Sequence, residues 1–221
     1  MPRLFRVFVM PWLIAAPMVL FSWDPARFFH DGRCIFAFLS LSVGLAFENS
    51  LVHPESIARS NAPEQSRHDR KSFELSSLIN ICCVYLPVWD YLHLPAVVPR
   101  NTATLVLGIV LLETGGLIRL FAMRTLGRFF TMRVAVLEGH QVMRGGLYRF
   151  VRHPAYTGWF LVTLGIALLF GSLIGLIGAA VFVLVLAYRV RVEETALSAE
   201  LGDVYRTYMQ EVRSRFFPGL F

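Results

Sequence analysis

Long apolar runs separated by short polar segments dominate the chain. They cover about Leu4 to Phe21, Cys34 to Val52, Ser76 to Leu92, Ala103 to Met123 and Ala155 to Tyr188. Each of the first four is close to the ~20 residues with which an α-helix crosses a hydrocarbon core. The fifth is too long for one ordinary crossing. Its middle reads GSLIGLIG, with Gly171, Ser172, Gly175 and Gly178 spaced for close backbone contact. That stretch predicts a tight helical hairpin, down and back, with a single strongly tilted helix as the alternative. The pattern as a whole predicts an all-α fold, a polytopic integral membrane helical bundle of about six spans. After Tyr188 acidic and basic residues interleave with apolar positions at helical spacing. This predicts a cytoplasmic amphipathic tail helix, broken near Gly202 and stopped by Pro218.

Composition agrees with that pattern. Of 221 residues, 56% are hydrophobic and only 16% charged, and the mean hydropathy is +0.57. A soluble fold of this length carries more charged surface. The net charge of +6 does not point to nucleic acid, because the charges cluster between apolar runs, where basic residues orient a membrane protein. With the N-terminus inside and the hairpin formed, all of the 21 Lys and Arg except Arg27, Arg33 and Arg100 fall on the cytoplasmic side. Both termini are therefore expected there. A secretory signal peptide is the alternative for the first run, since Arg3 and Arg6 precede it, although Pro11 and Pro17 interrupt it. His53 to Phe73 reads as a mobile cytoplasmic loop. Cys34, Cys82 and Cys83 lie in apolar runs without CxxC or Cys/His spacing, so neither a disulfide framework nor a metal site is expected.

Polar residues concentrate at 124–158 and 189–208, and the hairpin would bring these two segments together on one side. His153 precedes Pro154, which suits a first helical turn, and so sits where free backbone N–H groups favour acceptor groups of a ligand. The bland alternative is a capping histidine. Tyr148 and Tyr156 could line an adenine or ribose pocket, or belong to an interfacial aromatic belt. Arg149 and Arg152 read as orienting charges. Arg189 and Glu193 share a helical face, whereas Glu194 points elsewhere. The pair is either a surface ion pair or a site for charged groups of a ligand. Glu113 falls within the fourth run, where an ionisable group is a functional candidate by default; Arg119 is not on its face. No GxGxxG, GxxxxGK or HExxH motif is present, and the six histidines are scattered.

The run GLYRFVRHPAYTGW, followed after one apolar hairpin by RVRVEETALSAELGDVYRTYMQEV, resembles the isoprenylcysteine carboxyl methyltransferase family and its relatives among membrane phospholipid methyltransferases. The upstream run RTLGRFFTMRVAVLEGHQVMRGG fits as well, so the likeness covers about residues 117 to 218. It implies an enzyme that transfers a methyl group from S-adenosylmethionine to a lipid or prenylated substrate arriving from the bilayer, at the cytoplasmic face. It implies cofactor contacts from His140, Gln141, Val142 and Met143, from Tyr148, from His153, Pro154, Ala155 and Tyr156, and from Glu193. Arg189 would bind the substrate carboxylate, and Arg189 with Glu193 would form the catalytic pair. Residues 101–221 would then be the methyltransferase region, with residues 1–100 supplying N-terminal spans. One departure stands out: Val134 aligns where the eukaryotic carboxyl methyltransferases usually carry glutamine, so a contact there would come from the backbone or be absent. Methylation of a phospholipid or other lipid amine, with Glu113 or Glu193 as base, is the alternative chemistry. A transporter or structural membrane protein is the non-enzymatic one.

Overall fold

The computed structural model describes residues 16–20, 22–52, 69 and 71–219, and every regular element among them is helical. Helix α1 (Pro25–His30) is followed by α2 (Gly32–Leu51), α3 (Ser72–His93) and α4 (Thr102–Leu126). Two short 3-10 turns, Gly127–Phe129 and Gly146–Arg149, flank an irregular loop. Helices α5 (Pro154–Phe170), α6 (Leu173–Leu201) and α7 (Asp203–Glu211) complete the chain. The first apolar run lies mostly outside the described residues, as does most of the expected loop at His53 to Phe73, although Asp69 and Ser72 are placed. Among the described residues four helical stretches, α2, α3, Thr102–Phe129 and α6, are long and apolar enough to cross a membrane; α5 is apolar and shorter.

Local chemistry sets the helix boundaries. The Asp24 carboxylate accepts the Arg27 N–H at 2.9 Å and Pro25 follows it, so α1 starts there. Asp31 does the same for α2 through the N–H groups of Arg33 and Cys34. Asn101 caps α4 through the Thr104 N–H at 3.0 Å. Pro154 opens α5.

The chain divides into two compact units. One holds the described residues up to Ser50 with Leu78–Gly116 and Trp159–Phe182; the other holds Leu51–Ser77, Leu117–Gly158 and Val183–Phe221.

In the first unit Phe28, Val88, Leu112, Ile166 and Phe170 form the centre of the core. Helices α4 and α5 meet backbone to backbone: a Cβ on Gly108 would lie 2.4 Å from the Leu169 amide nitrogen, and one on Gly165 would lie 2.5 Å from that of Leu112. Without a strong hydrophobic drive between helices in lipid, this close packing is what holds them. The turn between α5 and α6 takes two residues. Gly171 (φ +56) and Ser172 donate back to Leu168 and Ala167, closing the end of α5 with a left-handed residue that glycine adopts without strain. The Ser172 hydroxyl then accepts the Gly175 N–H at 2.9 Å, starting α6, and donates to the buried Asp90. Trp159 meets Phe182 edge to face at 5.1 Å, so the two helices run back along each other.

Charged groups of this unit find specific partners. Arg27, Arg33 and Arg100 bond the carbonyls of Leu92, of Leu169 and Arg100, and of Tyr91, respectively; most of these lie at the ends of α3 and α5. They satisfy groups that a helix end leaves without partners. Glu113 has a neutral partner: the Ser40 hydroxyl of α2 donates to it at 2.6 Å.

Candidate functional site

The second unit assembles its polar groups around the start of α5. Pro154 has no N–H, and in that turn the N–H groups of Tyr156 and Thr157 go back to the His153 carbonyl at 3.1 and 3.2 Å. The chain beyond α7 lies against this start as a strap. The N–H groups of Arg152 and His153 donate to the carbonyls of Ser214 and Arg215, each at 2.9 Å. The Thr157 hydroxyl donates to Phe216 at 2.6 Å. Nη1 of Arg152 reaches the carbonyls of Val212 and Arg213 at 2.7 and 2.8 Å. Arg152 is therefore not an orienting surface charge: it is 8% exposed and ties two distant segments together. Arg149 remains exposed, its guanidinium over the Phe150 ring.

Helix α6 passes the same place with Arg189, Glu193 and Glu194. The Tyr156 hydroxyl donates to Glu193 at 2.7 Å and accepts from Arg189 Nε at 2.9 Å, so the i,i+4 pair is bridged by a phenol rather than joined directly. Arg189 is 3% exposed, and its other donors are engaged. Nη1 reaches Ser72 at 3.2 Å and lies 3.6 Å from Asp69, while Nη2 bonds the Met132 carbonyl. Asp69 also takes Arg133 at 3.2 Å and the Val134 N–H at 3.3 Å. The backbone at Val134 is thus committed to Asp69, and its side chain packs on Val192 and Ala196.

Glu194 does not point away from the site. It is 7% exposed and accepts from Arg152 Nε at 2.7 Å, from His153 Nε2 at 3.2 Å and from Arg215 at 3.0 and 3.1 Å. A helical wheel separates Glu193 from Glu194 by 100°, and so separates their roles, but it cannot reveal that both faces are covered. Glu193 stays partly open at 30% side-chain exposure, with its Oε2 3.9 Å from His153 Nδ1. The His153 ring lies between the two carboxylates and stacks on Tyr156 at 5.6 Å.

The loop between the 3-10 turns docks onto these helices through its apolar positions. Val142 packs beside Tyr205, Tyr208 and Leu201, and Met143 beside Ala122, Tyr148 and Ala155. Tyr148 is buried, its carbonyl accepts the Tyr208 hydroxyl at 2.7 Å, and burial pushes its phenol well above the ordinary value. Gln141 is exposed. His140 lies against Phe129 at 4.8 Å, and its Nδ1 is buried without a hydrogen-bond partner. Burial lowers its pKa, with the Glu193 charge acting in the opposite direction. A buried, unpaired, neutral imidazole nitrogen beside an available carboxylate fits a polar ligand better than it fits a finished core.

A helical chain of the integral membrane class thus gathers an imidazole pair, a phenol, a carboxylate and a buried guanidinium in one unit. Over residues 106–199 the chain is similar to the isoprenylcysteine carboxyl methyltransferase (ICMT) family. It is 33% identical over 113 residues to a probable protein-S-isoprenylcysteine O-methyltransferase of Oryza sativa subsp. indica, covering 48% of this chain and 58% of that protein. It is 31% identical over 110 residues to protein-S-isoprenylcysteine O-methyltransferase A of Arabidopsis thaliana, covering 48% and 56%. It is 34% identical over 106 residues to the protein-S-isoprenylcysteine O-methyltransferase of Schizosaccharomyces pombe, covering 45% and 44%. The chain spans about half the length of these relatives.

Proposed function

We propose that this protein transfers a methyl group from S-adenosylmethionine to the carboxylate of an isoprenylcysteine or similar lipidated substrate at the cytoplasmic membrane face. The observation that carries this reading is the Tyr156 bridge between Arg189 and Glu193, set inside the segment that matches the family. The donor supplies a methyl group on a positively charged sulfur, open to direct displacement. Glu193, partly exposed, would meet a polar or cationic part of it, and His140, whose Nδ1 lacks a partner, would accept or donate one hydrogen bond. Gln141, Val142 and Met143 would line the donor from the loop, with Tyr148, His153, Pro154, Ala155 and Tyr156 on the other side. Arg189 would attract the acceptor carboxylate, exchanging it against its present acceptors. A carboxylate is nucleophilic at neutral pH, so this chemistry asks for orientation and exclusion of water rather than a strong base.

In this reading residues 101–221 are the catalytic region, the chain makes about six crossings counting the hairpin, and both termini are cytoplasmic. Cysteines introduced at Glu138 and Glu200 should then label from the same side. The deciding experiment supplies membranes with methyl-labelled S-adenosylmethionine and two acceptors, a prenylated cysteine and phosphatidylethanolamine. A base-labile methyl ester on the first supports the proposal. A base-stable N-methyl lipid instead assigns the amine chemistry, and absence of transfer to either sinks both.

A further inference from the structure

We infer that Glu194 is the positioning residue of this site, setting the His153 ring and closing the C-terminal strap over the start of α5 without touching donor or acceptor. The inference rests on the proposed methyl transfer and assigns a role to a residue which that reading leaves unused. Both of its oxygens are engaged by the protein: Oε1 by Arg152 and His153, Oε2 by Arg215. Its side chain is 8% exposed and Arg152's is 7%, so neither charge can turn to water without uncovering the other. Arg215 is different, at 40% exposed, and contributes a tie from the strap rather than part of the buried pair. The strap then reaches back through the Ser214 and Arg215 carbonyls to the N–H groups of the two residues before Pro154. One carboxylate thereby fixes both the orientation of His153 Nε2 and the seat of the segment that covers it. Glu193, one residue earlier, keeps its partly open carboxylate for ligand because Glu194 carries the structural charge.

Arg215→Ala tests this, because it cuts the strap's tie while Arg152 still pairs with Glu194, so the chain keeps its buried charge balance. The S-adenosylmethionine KM should rise about fivefold, the scale of a half-exposed ion pair. The acceptor KM should change less than about twofold, since the strap adjoins His153 rather than Arg189. Arg215→Lys should recover most of the loss. Hydrogen exchange in the peptide carrying the Arg152 and His153 amides should quicken in Arg215→Ala, with the Val190 amide of α6 as the unchanged reference. Glu194→Gln, checked for a folded size-exclusion profile, should give a larger change of the same kind. Both effects are required: faster exchange without a donor KM change, a KM change without faster exchange, or an equal rise in acceptor KM overturns the assignment. An inactive wild type, measured first, instead removes the methyl-transfer reading, and the role of Glu194 falls with it.

Discussion

Tyr156→Phe isolates the bridge on which the proposed chemistry rests. The change removes one oxygen and leaves the ring that stacks on His153. Arg189 Nε then loses its 2.9 Å acceptor inside a guanidinium that is 3% exposed, so water does not readily replace it. A hydrogen bond to a charged group contributes about 1.5–3 kcal/mol. Arg189 keeps Ser72, the Met132 carbonyl and Asp69. Glu193 loses its 2.7 Å donor but, at 30% exposure, can turn towards water, so that half of the bridge adds little. The expected loss is about 2 kcal/mol of folding stability. Donor affinity should fall as well, because Glu193 loses the hydroxyl that holds its carboxylate. Denaturant titration of the detergent-solubilised protein, followed by tryptophan fluorescence, measures the first. Calorimetric titration with S-adenosylhomocysteine measures the second. A stability change below about 0.5 kcal/mol, the range of an inconsequential surface substitution, with unaltered affinity would refute the bridge as an organising contact.

Four other substitutions probe separate parts of the chain. Glu193→Ala should weaken S-adenosylhomocysteine binding, while Arg189→Lys should spare it and lower acceptor turnover, because an ammonium cannot reproduce the planar fork that reaches Ser72 and Tyr156; equal effects on both ligands would contradict the division of roles. Gly165→Val places side-chain carbon where Leu112 backbone already lies, 2.5 Å from its nitrogen, so the yield of monodisperse protein should collapse, and normal yield would disprove the close crossing. Acid should destabilise the protein through His140. Burial lowers its pKa below the ordinary 6.5, so the unfolded chain takes up this proton first. Its contribution is complete above about pH 6.5 and lost as pH falls through the folded value. Unfolding compared at about pH 7.5 and about pH 5.5 should show a smaller acid loss in His140→Gln than in the wild type.

Much of this architecture is visible in residue order because its causes are local. Apolar runs of membrane length specify helices wherever the backbone must satisfy its own hydrogen bonds. The break at Gly171 is visible because a left-handed turn there needs glycine, and Ser172 follows as a ready cap. His153-Pro154 marks a helix start for the same kind of reason, and the i,i+4 spacing of Arg189 and Glu193 puts them on one face. The tertiary structure decided what each charge meets. Arg152 looks like any basic residue beside a membrane span until the chain 60 residues later supplies the Val212 carbonyl. Glu194 sits off the face of its neighbour, and only the return of Arg215 and the placing of His153 make it the centre of a network. Asp69 gave no signal at all, since its partners Val134 and Arg189 lie far along the sequence. Helical periodicity reports which side a residue faces; the partner waiting there depends on segments that meet only when the chain has folded.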